Sequence, residues 1–321
     1  MRIILLFLFL STAFSLSAQH ISNTAVYRDI HSPKYFRLHY ENDYFSTSDL
    51  YYTQGVNVEY VHPAISKFFT SKLLVHSASK ETKFGASLEQ EGYTPTSIAH
   101  PEILEGDRPF AAALFFKTFS AVNNPKKEER ISSSLSVGLM GPAAGGEQIQ
   151  EALHRLINYT LPEGWDNQIS NTLILNYELE YHRGIFSLDK YFSFIGRAGV
   201  RAGTFNTKAN ISTIIMAGYF EDPFTNFSRQ ERKFQVYIYA EPLLNIVGYD
   251  ATLQGGLFNH SSPYTIASTD IQRLVFQGNA GIVFRINTVQ LEYFQTYLSK
   301  EFRTGGDHVW GGIRIGWYLN R

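Results

Sequence analysis

Apolar and polar residues alternate along most of the chain. Phe36, Leu38 and Tyr40 interleave with Arg37, His39 and Glu41, and Val56, Val58 and Tyr60 with Asn57 and Glu59. Leu173, Leu175, Tyr177, Leu179 and Tyr181 alternate with Asn176, Glu178, Glu180 and His182; the last run sets Ile313, Ile315 and Trp317 against Arg314 and Gly316. A period of two is the signature of a strand with two unlike faces. Charged residues recur on the second face, where a globular core would not accept them, because burying charge is costly. A polar lumen would. Roughly 12 such segments, each near the ~10 residues of a tilted membrane strand, fall at 36–45, 53–62, 83–93, 110–121, 131–140, 171–183, 191–204, 209–219, 233–247, 272–285, 288–300 and 308–319. The pattern predicts an all-β fold, an antiparallel transmembrane β-barrel of about 12 strands.

An even strand count places both termini in the periplasm and the joins 94–109, 141–170 and 248–271 outside. The turn at Ile286-Asn287-Thr288 is short, as a periplasmic turn should be; 63–82 is long for one and predicts a helix or an extended strand end. One short extracellular helix is expected within 141–170. Ile149, Ala152, Leu153, Leu156 and Ile157 recur at helical spacing, with Gly145-Gly146 before them and Pro162 after. Its apolar stripe should face the barrel wall or the lipid.

Composition sharpens this picture. The chain opens Met1-Arg2, continues through the apolar run Ile3 to Leu10 and reaches Ser15-Leu16-Ser17-Ala18, which describes a secretory signal peptide over 1–18. Residues 19–321 then form one barrel domain, without internal repeat or linker. No later stretch approaches the ~18 apolar residues of a membrane helix. The absence of cysteine excludes disulfides, a cysteine nucleophile and a lipoprotein anchor. A net charge of −1 gives no sign of nucleic-acid binding. Aromatic residues make up 15% of the chain, with 25 Phe and 20 Tyr. Together with a mean hydropathy of −0.16, that does not describe a helical membrane protein. It suits aromatic girdles around an apolar wall. A soluble β-sandwich could be as aromatic, and composition alone does not separate the two.

Several ordered stretches resemble the lipid A deacylases of the LpxR type. They are Glu41-Asn42-Asp43-Tyr44-Phe45 with Tyr51-Tyr52-Thr53-Gln54-Gly55, Gln90-Glu91-Gly92-Tyr93 with Asp107-Arg108-Pro109, and Gly146 to Gln150 with His154-Arg155-Leu156-Ile157 and Pro162-Glu163-Gly164-Trp165. Leu253 to Gly256 and Ser299 to Phe302 are similar too. The likeness spans nearly all of the mature chain. It implies a 12-stranded outer-membrane barrel and a calcium-dependent hydrolase that removes an acyloxyacyl group from lipid A of lipopolysaccharide. The family's Asn-Asp pair falls on Asn42 and Asp43, its threonine on Thr53 and its histidine on His154. For its further glutamate, Glu163 is the nearest candidate. The chain departs from the family at Phe110-Ala111-Ala112-Ala113, where tyrosine-alanine-glycine-tryptophan is usual, and at Thr172, where glutamate is frequent. Both departures bear on substrate shape and turnover.

The residue types suit the chemistry. Histidine takes a proton near neutral pH, so His154 is the candidate general base. Asp43 offers a carboxylate and Asn42 and Thr53 neutral oxygens, a set that fits Ca²⁺. Strand counting brings all four to the outer rim, where lipid A resides. Neighbouring Asn42 and Asp43 would point to opposite faces of a regular strand unless a bulge or strand end redirects one. Without the resemblance, His154 reads as the polar flank of a helix, Asn42-Asp43 as a loop start and Thr53 as an ordinary strand residue. His100, His182 and His260 lack metal-site spacing, and Ser46 and Ser48 lack a nucleophile-elbow context. The expected partners are lipopolysaccharide and outer-membrane lipids, with the protein a monomer. Two rival readings stand beside the deacylase: a barrel without catalysis that serves as a channel or structural protein, and a phospholipase using the same base and cation.

Overall fold

Alternation over this many segments leaves each strand one apolar and one polar face, and closure into a ring is the arrangement that satisfies both. A computed structural model describes residues 21–46, 51–77, 80–227 and 233–319; the expected signal peptide lies outside the described residues. Twelve strands are present among the described residues: β1 (Tyr35–Asn42), β2 (Tyr51–Val61), β3 (Thr82–Thr94), β4 (Ala111–Asn124), β5 (Glu129–Met140), β6 (Thr172–Leu188), β7 (Phe192–Gly203), β8 (Asn206–Tyr219), β9 (Phe234–Asp250), β10 (Leu274–Ile286), β11 (Val289–Leu298) and β12 (His308–Tyr318). Each pairs antiparallel with its neighbours in sequence, and β1 closes the barrel on β12. Tyr35 lies opposite Tyr318, so the first strand starts and the last strand ends at one rim, here termed proximal. No helix of the described residues is long and apolar enough to cross a membrane.

The outer face carries an apolar belt that includes Leu38, Val58, Leu88, Phe116, Val137, Leu175 and Ile282, all exposed. Inside, charges are paired across strands, because a charge withdrawn from water needs a partner. Arg37 meets Glu59 at 2.8 Å, Lys117 meets Glu89 at 2.8 Å, Arg197 meets Glu241 at 2.7 Å and Arg314 meets Glu292 at 2.8 Å.

A segment the alternation does not announce fills much of this lumen. Residues 21–34 run inside the ring, with Tyr27 donating to Glu241 at 2.8 Å, Thr24 to Glu180 at 2.7 Å and Arg28 to Glu292 at 3.0 Å. Asp29 pairs with Lys83 and Arg130. Below it, the β8–β9 join folds inward on Phe220, Phe224 and Phe227, all buried. Near the opposite, distal rim, Tyr52, Tyr93, Phe115, Phe205 and Trp310 pack in a buried cluster. Above them Arg108 bonds Glu301 and donates to Thr252 Oγ1 at 2.6 Å, tying three distal joins together. Burial pushes the Glu301 carboxyl up, against the pull of Arg108. The long stretch 63–82 forms two single 3-10 turns, Pro63–Lys67 and Thr70–Leu73, in place of a regular helix or a strand extension.

The expected helix is present as α1 (Gly146–Ile157), in the distal join between β5 and β6. Its buried residues are Gly146, Gln150 and His154, whereas Ile149, Leu156 and Ile157 stay exposed, Leu156 at 83%. Of the two expectations for the apolar stripe, the wall is therefore excluded. A polar stripe four residues apart faces the barrel instead.

Candidate active site

The site grows from one irregularity in β2. Tyr52 pairs with Tyr93 and Gln54 with Gly92, so Thr53 is an extra residue without a partner on β3. A bulge of this kind puts two consecutive side chains on one side. Tyr52 turns into the lumen, where its hydroxyl donates to Glu41 at 2.5 Å. Thr53 joins Gln54 on the outer face, the face that carries Val56, Val58 and Tyr60. Asn42, opposite Gln54 in the register, shares that face. Its Nδ2 donates to the Thr53 carbonyl at 2.5 Å and its Oδ1 accepts from the Tyr44 amide at 2.8 Å. Asn42 thus holds the bulge and bends the chain out of β1 into the 3-10 turn Asp43–Ser46, which starts with the buried Asp43. The regular alternation of β1 therefore ends at Asp43, where the turn begins.

Helix α1 covers this patch. A Cβ at Gly146 would overlap Ala112 on the outer face of β4 and meet the Trp165 ring at 2.7 Å, so only glycine lets the helix approach this closely. Trp165 Nε1 donates to Gln150 Oε1 at 2.7 Å, and Gln150 Nε2 donates to Thr53 Oγ1 at 3.3 Å. His154 lies one turn further along the same face, about 6 Å along the axis. Its Nδ1 is 2.5 Å from the Thr160 carbonyl oxygen. A carbonyl only accepts, so the bond assigns the hydrogen of the neutral ring to Nδ1 and leaves a lone pair on Nε2. Tyr159 packs edge-on against the ring, with centroids 5.1 Å apart.

Of the five predicted residues, Asn42 and Thr53 are joined by a hydrogen bond at the distal end of the outer wall, Asp43 follows in the adjoining turn, and Gln150 links Thr53 to the helix face that carries His154. Glu163 does not join them. It is exposed, and its backbone N–H donates to Ile98 O at 2.9 Å; no side-chain hydrogen bond or ion pair of Glu163 is present among the described residues. The Thr160 carbonyl occupies the position that orients the imidazole. Gln150 and Trp165 are the residues that motif reading passed over. The spacing of four between Gln150 and His154 places both on one helix face, and that signal lay within the matched stretch. Of the departures from the family pattern, Ala113 and Thr172 face the lumen, in register with Glu91 and Met140. Only Ala112 underlies α1.

The oxygens that could hold a cation are those of the Asp43 carboxylate, Thr53 Oγ1 and the remaining lone pair of Asn42 Oδ1. All are hard oxygens, as Ca²⁺ prefers. No group of three or more acidic, histidine or cysteine side chains able to hold a metal is present among the described residues. A cation here would need further oxygens from outside these three residues.

A closed antiparallel barrel with an apolar belt and a filled lumen defines an integral outer-membrane protein. The chain belongs to the LpxR family: the family described as outer membrane protein LpxR matches residues 4–319. Among solved structures, LpxR from Salmonella typhimurium superposes with a TM-score of 0.73 at 18% sequence identity, covering 89% of this chain and 100% of that one. The β domain of the Bordetella autotransporter BrkA covers 89% and 98%, at 12% identity and a TM-score of 0.46. No curated protein matches the chain in sequence.

Proposed function

We propose that this protein hydrolyses an acyl ester of lipid A, releasing an acyloxyacyl chain, at the extracellular face of the outer membrane. One observation carries the reading: a buried histidine whose Nδ1 is tied to a carbonyl lies one helical turn from Gln150, which bonds Thr53 on the outer face of the barrel wall, at the rim opposite the start of β1 and the end of β12. With both termini in the periplasm, that rim lies in the leaflet that holds lipopolysaccharide.

In the reaction His154 Nε2 takes a proton from water as the water oxygen bonds to the ester carbonyl carbon. The tetrahedral intermediate collapses, the carbon–oxygen bond to the sugar breaks, and the imidazolium returns its proton to the departing alkoxide. The Thr160 carbonyl holds the ring through Nδ1 while charge develops on it. Asp43, with Thr53 and Asn42, would hold Ca²⁺, which supplies a positive charge for the carbonyl oxygen when bound. Gln150 and Trp165 keep Thr53 and the helix in register.

The filled lumen argues against the channel alternative. The phospholipase alternative shares every catalytic group and is separated by experiment. Mass spectrometry of lipid A from cells that express the protein should show loss of an acyloxyacyl unit. His154→Ala should insert normally and lower turnover by about 10²–10⁴-fold. Excess chelator should stop turnover, and added calcium should restore it. An unchanged lipid A spectrum accompanied by lysophospholipid would move the substrate to phospholipid. Full activity of His154→Ala would remove the base.

A further inference from the structure

A hollow of about 310 Å³ opens at the distal rim, away from the face that α1 covers. It is lined by Leu274 at the start of β10, by Ser299 and Lys300 just past β11, by Gly306 and Asp307 just before β12, and by Gln272. Leu274 shares the outward row of Ile246 and is 60% exposed, so the hollow lies where the apolar outer wall ends. Its size falls in the range of small-ligand sites.

The polar groups around it have capacity to spare. Lys300 and Asp307 are exposed, and no ion pair of either, with each other or elsewhere, is present among the described residues. Asp307 Oδ2 accepts from the Tyr297 hydroxyl at 3.0 Å, which leaves Oδ1. Gln272 donates its backbone N–H to Glu301 O at 2.8 Å; its carboxamide, like the hydroxyl of the buried Ser299, makes no hydrogen bond among the described residues. The lining thus offers an ammonium, a carboxylate, a carboxamide and a hydroxyl around one apolar side chain. Hydroxyl groups both donate and accept, and suit such a set. An acyl chain would strip water from these groups and return no bond.

We infer that this hollow binds a sugar ring that carries an anionic substituent. Lys300 takes the anion; Asp307, Gln272 and Ser299 take ring hydroxyls; Leu274 takes the C–H face. Around the rim the hollow adjoins the candidate active site. The turn Asp43–Ser46 lies over β12, where a Cβ on Gly311 would come within 2.8 Å of Phe45 Cβ, and Phe45 meets Tyr293 of β11 with centroids 6.4 Å apart. Gly306 N–H donates to the hydroxyl of Tyr51, two residues before Thr53, at 3.0 Å. Three strand spacings separate β2 from β11, about 14 Å. A sugar in the hollow and an ester at Thr53 are then different units of one extended head. Use of the hollow in turnover rests on the hydrolase reading, whereas sugar binding does not.

The test uses saturation-transfer NMR on the full-length protein in detergent micelles at low ionic strength. The probes are methyl glucoside, the methyl glycoside of glucuronate, glucose 6-phosphate and inorganic phosphate. One or both anionic sugars should bind at least about tenfold tighter than methyl glucoside, and the tighter of the two identifies the natural anion as carboxylate or phosphate. Lys300→Gln, at an exposed position, should abolish that preference. Ser299→Ala should weaken all three sugars several-fold and leave inorganic phosphate unchanged; Gln272→Ala replaces it if the heat-dependent gel shift of a folded barrel is lost. Several results would each overturn the site: no saturable signal from any sugar at about 20 mM, equal affinity for neutral and anionic sugars, a preference that survives Lys300→Gln, or inorganic phosphate competing as well as the sugar phosphate. None of the probes contains an acyl ester, so the outcome stands whether or not the protein proves to be a hydrolase.

Discussion

At the scale of the residue, the orientation of one imidazole depends on one backbone conformation. Asn158 ends α1 in the left-handed region at φ 56°, its N–H bonding to the His154 carbonyl. That turn carries Thr160 back so that its own carbonyl meets His154 Nδ1. Asparagine tolerates this conformation, and a β-branched residue does not, at a cost of about 1–3 kcal/mol. Asn158→Val should therefore lower kcat at least several-fold with little change in KM, and Asn158→Gly should preserve both. Equal kinetics for the two variants would show that the ring is held by other means. The hydrogen bond between Asn42 and Thr53 and the placement of His154 on the helix face that carries Gln150 agree with the order of the motifs that singled them out. Glu163 was proposed from its nearness in sequence to His154; it is exposed, and its backbone is tied to Ile98. The main-chain oxygen of Thr160 fills the orienting place, and no side-chain motif registers a carbonyl.

At the scale of the element, twelve strands and one helix were legible because alternation and helical periodicity are strong over such lengths. Two features were not. Alternation from Val56 back to Tyr52 would place Tyr52 on the outer face, whereas the bulge at Thr53 turns it into the lumen. A bulge changes face assignment by one residue and leaves the composition of the strand untouched. The helix left a choice open, its apolar stripe toward the wall or toward the lipid, and the buried face proves to be that of Gly146, Gln150 and His154. A hydrophobic stripe identifies the face that avoids water, and beside a bilayer that face need not touch protein. The close approach at Gly146 then predicts that Gly146→Leu lifts α1 from β4. Turnover should fall at least tenfold while the heat-dependent gel mobility of the barrel is unchanged. Undiminished turnover would show that the helix position is not critical.

At the scale of the whole molecule, the lumen is occupied by the chain's own residues. Residues 21–34 carry Tyr27, Arg28 and Asp29 to partners on distant strands, and the distal joins converge on Arg108. This part of the fold was not legible, since a segment whose partners are Glu241, Glu292 and Arg130 has no periodicity of its own to display. The purified protein should give no conductance steps in a planar bilayer, and a variant lacking residues 21–33 should give them. Steps from the intact protein would mean the lumen opens. In the proposed reading the reactive groups look sideways into the leaflet, and whatever they act on arrives by lateral diffusion. Encounter is then two-dimensional: rate follows the mole fraction of target lipid in the plane, and inert detergent should slow the protein by surface dilution alone, with no inhibitor bound.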